Sequence, residues 1–140
     1  MIDVKKYDKL TYAVIGAAME VHRQLGCGFL ELVYQQAMIE EMRLRTIPFL
    51  SQKPIDVFYK DKKIAIYVPD FIAGNTLKII VELKALETVD YNQIQMQVIN
   101  YLVATKFDVG LFLNFGKKSL EYKRYVRPEK LQNSQQIETN

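Results

Sequence analysis

The sequence predicts one α/β domain in which a mixed central sheet is flanked by helices, with its elements in the order ααβββαββ. Apolar residues recur at helical spacing in residues 8–45 and 91–106, whereas the other segments alternate with the period of two that is typical of strands. The chain has 140 residues, of which 49% are hydrophobic, and this is enough to bury a sizeable core. No repeat or linker divides it, so we expect a single domain over residues 1–127 and a polar tail over 128–140.

Two helices are predicted at the start of the chain. The first covers residues 8–25, and its apolar stripe consists of Leu10, Val14, Ala17, Val21 and Leu25. Gly26 and Gly28 favour a helix end, because glycine readily adopts the left-handed backbone that closes helices. The second helix is predicted from Phe29 to Arg45, with Pro48 beyond its end.

Five strands and one helix are predicted for the rest of the domain. The strands cover residues 51–59, 63–73, 77–85, 107–114 and 120–126, and the helix covers residues 91–106. Because this helix connects the third strand to the fourth, it can act as a crossover that makes the two strands parallel.

Composition gives broader limits on the kind of protein. A net charge of +3 and a pI near 8.9 permit nucleic-acid binding without favouring it strongly. The single cysteine, Cys27, excludes an intrachain disulfide framework and a zinc–cysteine cluster. No apolar run reaches the ~20 residues of a membrane span, and the first residues do not resemble a signal peptide. We therefore expect a cytoplasmic protein that does not associate with membranes.

Asp70, Glu82 and Lys84 form the pattern that points most directly to chemistry. Glu82 and Lys84 lie two residues apart on a predicted strand, so their side chains point to the same face. Two carboxylates at strand ends offer the oxygen ligands that Mg²⁺ prefers, and a nearby ammonium can hold a water or offset charge on a phosphate. A solvated strand face with a surface ion pair remains an alternative interpretation.

The turn before this strand decides whether Asp70 can join that face. A two-residue turn at Gly74-Asn75 would pair Asp70 with Ile79 and place Asp70 opposite to Glu82. A metal site therefore requires a loop of odd length, or a β-bulge, for which Pro69 is a natural position.

Three more polar residues are candidates for the same site. Glu31 is expected in the first turn of the second helix, where it could instead simply complement the helix dipole. Gln97 and Tyr101 lie four residues apart on the third helix, so an amide and a phenol share one face and could both reach a phosphate. Tyr101 could equally be a core aromatic residue.

The motifs together resemble those of a known family. Gly28-x-x-Glu31-x-x-Tyr34, the Pro69-Asp70 and Glu82-x-Lys84 pairs, and Asn114-Phe115-Gly116 resemble the small prokaryotic GxxExxY proteins of the PD-(D/E)XK nuclease superfamily. The resemblance covers about residues 8–126. It implies a restriction-endonuclease-like fold and a metal-dependent nuclease core.

The resemblance also implies roles for individual residues. Asp70, Glu82 and Lys84 match the catalytic positions of the superfamily, and Glu31 would be an acidic residue on a helix that faces the site. Gln97 and Tyr101 match the QxxxY pattern of its exonuclease-like branches.

We therefore expect a nuclease that hydrolyses DNA with Mg²⁺ or Mn²⁺. Asp70, Glu82 and the backbone carbonyl of Leu83 would hold the metal, and Lys84 would position or activate water. Lys117 and Lys118 on the last predicted hairpin are further candidates for phosphate contacts, and a homodimer is a further expectation. The alternative is a noncatalytic module that retains the fold and binds nucleic acid or another protein. Two converging carboxylates disfavour such a noncatalytic module, because they repel each other and phosphate unless a cation intervenes.

Overall fold

The computed structural model describes residues 1–129, which form a five-stranded mixed sheet with helices on both faces. Residues 130–140, most of the predicted tail, lie outside the described part. A short 3₁₀ helix, Val4–Tyr7, precedes the first long helix. The helices are α1 Asp8–Leu25, α2 Glu31–Leu44 and α3 Tyr91–Thr105. The strands are β1 Phe49–Ser51, β2 Ile55–Tyr59, β3 Lys62–Tyr67, β4 Phe71–Gly74, β5 Lys78–Lys84, β6 Val109–Asn114 and β7 Glu121–Val126.

The strand order of the main sheet is β1-β4-β5-β6-β7, and β2 and β3 form a separate two-stranded sheet. The pair β5–β6 is parallel and is connected through α3, as predicted, whereas the other neighbouring strands are antiparallel. The predicted α/β fold with a mixed sheet is therefore confirmed.

The prediction of single strands over residues 51–59 and 63–73 was wrong. Each of these segments is divided, so that β1 and β4 belong to the main sheet and β2 and β3 to the small one. Pro54 lies at the first division and Pro69 at the second. Proline lacks the N–H that a strand ladder requires, which explains why both strands break where they do.

The sheet separates two apolar cores. Residues of α1 and α2, among them Val14, Tyr34 and Met38, pack on the face that carries Val81 and Leu83 of β5. On the opposite face, Ile94, Val98 and Leu102 of α3 pack against Ile80 and Phe112. Because side chains alternate along a strand, Glu82 and Lys84 lie on the same face as Ile80 and therefore face α3.

The loop between β4 and β5 contains three residues, 75–77. Gly74 pairs with Lys78 and Phe71 with Val81, so the register continues to Asp70 opposite Glu82. Gly74 has a positive φ of 107°, which a residue with a Cβ would adopt only with strain. The odd loop length, rather than a bulge at Pro69, places Asp70 and Glu82 on one face.

The β2–β3 hairpin is more exposed than the main sheet. Its pairing is irregular between Val57 and Phe58, and Phe58, Tyr59 and Ile64 are each 60% exposed. Among the helices in residues 1–129, none combines the length and the apolar character that crossing a membrane requires.

Candidate active site

Asp70 lies just before β4, where its carboxylate is held by two neighbours. Its Oδ2 accepts a hydrogen bond from the backbone N–H of Leu83 at 2.7 Å, and its Oδ1 accepts one from the side chain of Gln52 at 3.2 Å. The Gln52 N–H also donates to the Asp70 carbonyl at 3.1 Å. These contacts fix Asp70 against the strand that carries Glu82.

Glu82 lies in the middle of the site and is mostly buried. Its Oε2 atom is buried and has no hydrogen-bond partner among the described residues. Burial raises the pKa of Glu82 to about 8, and the negative charge of Asp70 and a hydrogen bond with it act in the same direction. Two carboxyl groups this close favour a proton or a cation between them.

Lys84 and Glu31 complete the charged group. Glu31 is the first residue of α2, and burial raises its pKa, as does the charge of Asp70, whereas Lys84 lowers it. Lys84 also lowers the pKa of Glu82, and Glu31 raises it. The tertiary structure therefore brings one ammonium and three carboxyl groups from α2, β5 and the start of β4 into electrostatic contact.

Tyr101 of α3 borders this charged group, and Gln97 lies beside Tyr101. Burial raises the pKa of Tyr101, and the charge of Glu82 adds to this effect, whereas hydrogen bonding with Gln97 lowers it. The ring of Tyr101 also contacts the ring of Tyr67, with centroids 4.5 Å apart. Tyr101 is thus both a packing residue and a neighbour of the carboxylates.

Lys117 and Lys118 lie outside this charged group. They line a cavity of about 500 Å³ next to the loop that precedes α2, and neither contributes to the pKa shifts of Glu31 or Glu82. A larger cavity, of about 650 Å³, is lined by the β4–β5 loop together with the start of α1 and the loop after α2, and none of the candidate site residues lines it.

The sequence comparison gives the family of this arrangement. A family model of the PD-(D/E)XK nuclease superfamily matches residues 8–125. The chain belongs to this superfamily. The mixed sheet between helices is consistent with its restriction-endonuclease-like fold.

The chain was also compared with functionally curated proteins and with solved structures. No functionally curated protein matches the chain. A solved structure titled "Crystal structure of SSO0001" is similar over 84% of this chain and 68% of its own, with 13% identity and a TM-score of 0.46.

PD-(D/E)XK nucleases typically use divalent metals, and the residues of this chain fit such an ion in part. Within residues 1–129, no group of three or more His, Cys, Asp or Glu side chains is arranged to hold a metal. A pair of carboxylates is nevertheless enough for Mg²⁺, which often keeps several waters. The buried Oε2 of Glu82, which has no hydrogen-bond partner in the described part of the chain, is the oxygen best suited as a ligand.

Several motif residues serve to hold loops rather than to meet the carboxylates. The Tyr34 hydroxyl donates to the carbonyl of Gly26 at 2.6 Å, and its ring stacks on Phe115 at 4.7 Å. Asn114 is fully buried and binds the backbone of Leu86 through both ends of its amide. The sequence alone did not predict these roles.

Gln52 and Tyr67 were also missed. Each contacts a candidate site residue, yet each belongs to a segment predicted as an ordinary strand. Gln52 has a positive φ of 55°, but the sequence contains no glycine or turn motif there that would have signalled it. Only the folded chain brings these two residues to the site.

Proposed function

We propose that the protein is a metal-dependent nuclease that hydrolyses phosphodiester bonds of DNA, with Mg²⁺ or Mn²⁺ as the cofactor. The observation that supports this most is the Asp70–Glu82 pair, in which the buried Oε2 of Glu82 has no hydrogen-bond partner within residues 1–129. Ionising Glu82 in this buried position beside Asp70 is costly, and a divalent cation in place of the proton would remove that cost. Membership of the PD-(D/E)XK nuclease superfamily supports a nucleic-acid substrate.

In this proposal each site residue has its own role. Asp70, Glu82 and the Leu83 carbonyl would bind the cation, which polarises the phosphodiester and acidifies water when bound. The Lys84 ammonium would orient the attacking water and offset charge that develops on the phosphate. Glu31 would act on the cation or its waters, and Gln97 and Tyr101 would orient the DNA backbone from α3.

The test combines metal binding with cleavage. Calorimetric titration with Mg²⁺ and Mn²⁺ should show binding to the wild type, and labelled linear or circular DNA should be cut in the same buffers. Asp70→Asn should weaken metal binding and abolish cleavage. Asp56→Asn removes an exposed carboxylate of the β2–β3 hairpin and should change neither measurement.

A noncatalytic module would give a different result in these experiments. DNA or protein binding without metal binding and without cleavage of any DNA form would favour a noncatalytic module. Unchanged metal binding and retained cleavage in Asp70→Asn would contradict the assignment of Asp70 as a ligand.

Within the superfamily, we propose membership of the GxxExxY group. Gly28, Glu31 and Tyr34 support it, because Glu31 faces the candidate site and Tyr34 holds the loop that contains Gly28. As a location we propose the cytoplasm, where the DNA of a prokaryotic cell lies.

We also propose a homodimer through the β2–β3 hairpin. Its apolar side chains are unusually exposed, and a two-stranded sheet by itself is only marginally stable in water. Sedimentation velocity over a range of concentrations should show a dimer, and Ile66→Glu should shift it to the monomer. A wild-type protein that stays monomeric at every concentration would exclude this proposal.

A further inference from the structure

A cavity of about 500 Å³ is lined by residues that lie close in the sequence to Glu31 and Lys84 of the candidate active site. Three loops line it: residues 27–29 before α2, Ala85 and Glu87 after β5, and residues 116–118 between β6 and β7. Of the lining residues, Ala85 directly follows Lys84 in the sequence, and Phe29 lies two residues before Glu31. Its volume lies within the range of sites that bind small ligands.

The first wall is held in place by Tyr34. The Tyr34 hydroxyl donates to the Gly26 carbonyl at 2.6 Å and accepts from the Phe29 N–H at 3.3 Å. The Phe29 ring meets the Tyr34 ring nearly at a right angle, with centroids 6.1 Å apart. Tyr34 is fully buried, so this loop rests on a rigid part of the core.

The other two walls are held by Asn114 and His22. Asn114 Oδ1 accepts from the N–H groups of Leu86 at 2.8 Å and Gly116 at 3.2 Å, and its Nδ2 donates to the Leu86 carbonyl at 3.0 Å. His22 is buried, and its Nε2 lies 2.8 Å from the Lys117 carbonyl. A Cβ on Gly116 would collide with the Leu86 backbone, so only glycine permits this close approach.

The cavity offers the groups that recognise a nucleotide. Phe29 is 47% exposed, and no other ring is stacked face to face on it among the described residues. Lys118 makes no ion pair within residues 1–129, whereas Lys117 pairs with Glu121 at 3.2 Å. The Glu87 carboxylate also lines the cavity, where it would repel a phosphate but could accept a hydrogen bond from an exocyclic amine of a base.

We propose that this cavity binds one unpaired nucleotide of a DNA strand, whose base stacks on Phe29 and whose phosphate contacts Lys118. A base within a duplex reaches such a pocket only after extrusion from the stack. The substrate is therefore a single strand or a DNA end with an unpaired nucleotide. The inference rests on the proposed nuclease function for the reaction at the candidate carboxylates, but binding in the cavity can be measured separately from cleavage.

Cys27 gives a direct probe, because it lines the cavity, is exposed and is the only cysteine of the chain. The wild-type protein is alkylated with iodoacetamide in Ca²⁺, which offsets the carboxylate charge, and the rate is followed by mass spectrometry. A single-stranded oligonucleotide should slow alkylation several-fold, and a blunt duplex of the same sequence should slow it much less. Equal rates with and without bound single strand, or equal protection by the blunt duplex, would overturn the proposal.

Two variants test the contacts themselves by fluorescence anisotropy. Phe29→Ala should weaken single-strand binding by about five- to 150-fold, the usual loss of one base–aromatic stack. Lys118→Ala should weaken it less and reduce its salt dependence by about one phosphate contact. Tyr12→Ala and Lys9→Ala, which alter exposed residues of α1, should leave the affinity unchanged. Unchanged affinity in Phe29→Ala, or equal losses in the controls, would overturn the proposal.

The failure of this inference can be distinguished from the failure of the nuclease proposal. Cleavage without protection of Cys27 and without an effect of Phe29→Ala would leave a nuclease whose substrate does not enter the cavity. Protection of Cys27 and weakened binding in Phe29→Ala, without cleavage in Mg²⁺ or Mn²⁺, would leave the nucleotide site and remove the nuclease.

Discussion

Replacing Glu82 with Gln should change how the stability of the metal-free protein depends on pH. The folded-state pKa of Glu82 is about 8, raised by burial and by Asp70 from an ordinary value of 4.5. Between these two values the folded state binds a proton that the unfolded state has released. The free energy of unfolding must therefore fall as the pH rises through this range.

The size of the effect follows from the same two values. Between 4.5 and about 8 lie about 3.5 pH units, and each unit corresponds to about 1.4 kcal/mol, so the loss is on the order of 5 kcal/mol. Because Asp70 and Glu82 share the proton, this amount belongs to the pair. The stabilisation is complete below pH 4.5 and is lost as the pH rises through about 8. Glu82→Gln has no proton to lose and should keep its stability at high pH.

The assay is urea denaturation followed by circular dichroism, in EDTA, at pH 5, 7 and 9. The wild type and Glu82→Gln should differ little at pH 5, and the variant should be more stable by several kcal/mol at pH 9. Glu40→Gln changes an exposed carboxylate and should follow the wild type at every pH. Saturating Mg²⁺ at pH 8 should stabilise the wild type and should have much less effect on Glu82→Gln.

Parallel pH profiles for the wild type and Glu82→Gln would refute this reasoning. They would mean that the Glu82 carboxylate is not desolvated in the folded state, or that Asp70 does not act on it. The metal assignment would then lose its main support, since it depends on the same buried oxygen.

Three further changes test other parts of the site. Lys84→Ala should abolish DNA cleavage in a gel assay while calorimetry still detects Mg²⁺ binding, because the ammonium acts on water and phosphate; retained cleavage would leave Lys84 as an ordinary strand residue. Glu31→Gln should lower both metal affinity and cleavage, and unchanged values would reduce Glu31 to a residue that complements the dipole of α2. Asn114→Ala should destabilise the fold by roughly 3 kcal/mol in urea denaturation, because two backbone groups of Leu86 would lose their buried partner; a loss below about 1 kcal/mol would show that water replaces the amide.

The sequence by itself determined the helices and the parallel pair of strands. Apolar periodicity predicted α1, α2 and α3 to within about two residues of their observed ends, because each helix buries one continuous stripe. The crossover through α3 made β5 and β6 parallel, as its length requires. The spacing of Glu82 and Lys84 placed both on one face, since that follows from the period of a strand alone.

Only the tertiary structure decided which strands pair and what surrounds the carboxylates. Pro54 and Pro69 divide two predicted strands between two sheets, and the sequence gives no means of assigning each half to its partner. The three-residue loop after Gly74 sets the register that brings Asp70 opposite Glu82, and a loop one residue shorter would have separated them. The raised pKa of Glu82 has the same origin, because burial and the nearness of Asp70 and Glu31 are properties of packed elements that lie far apart in the chain.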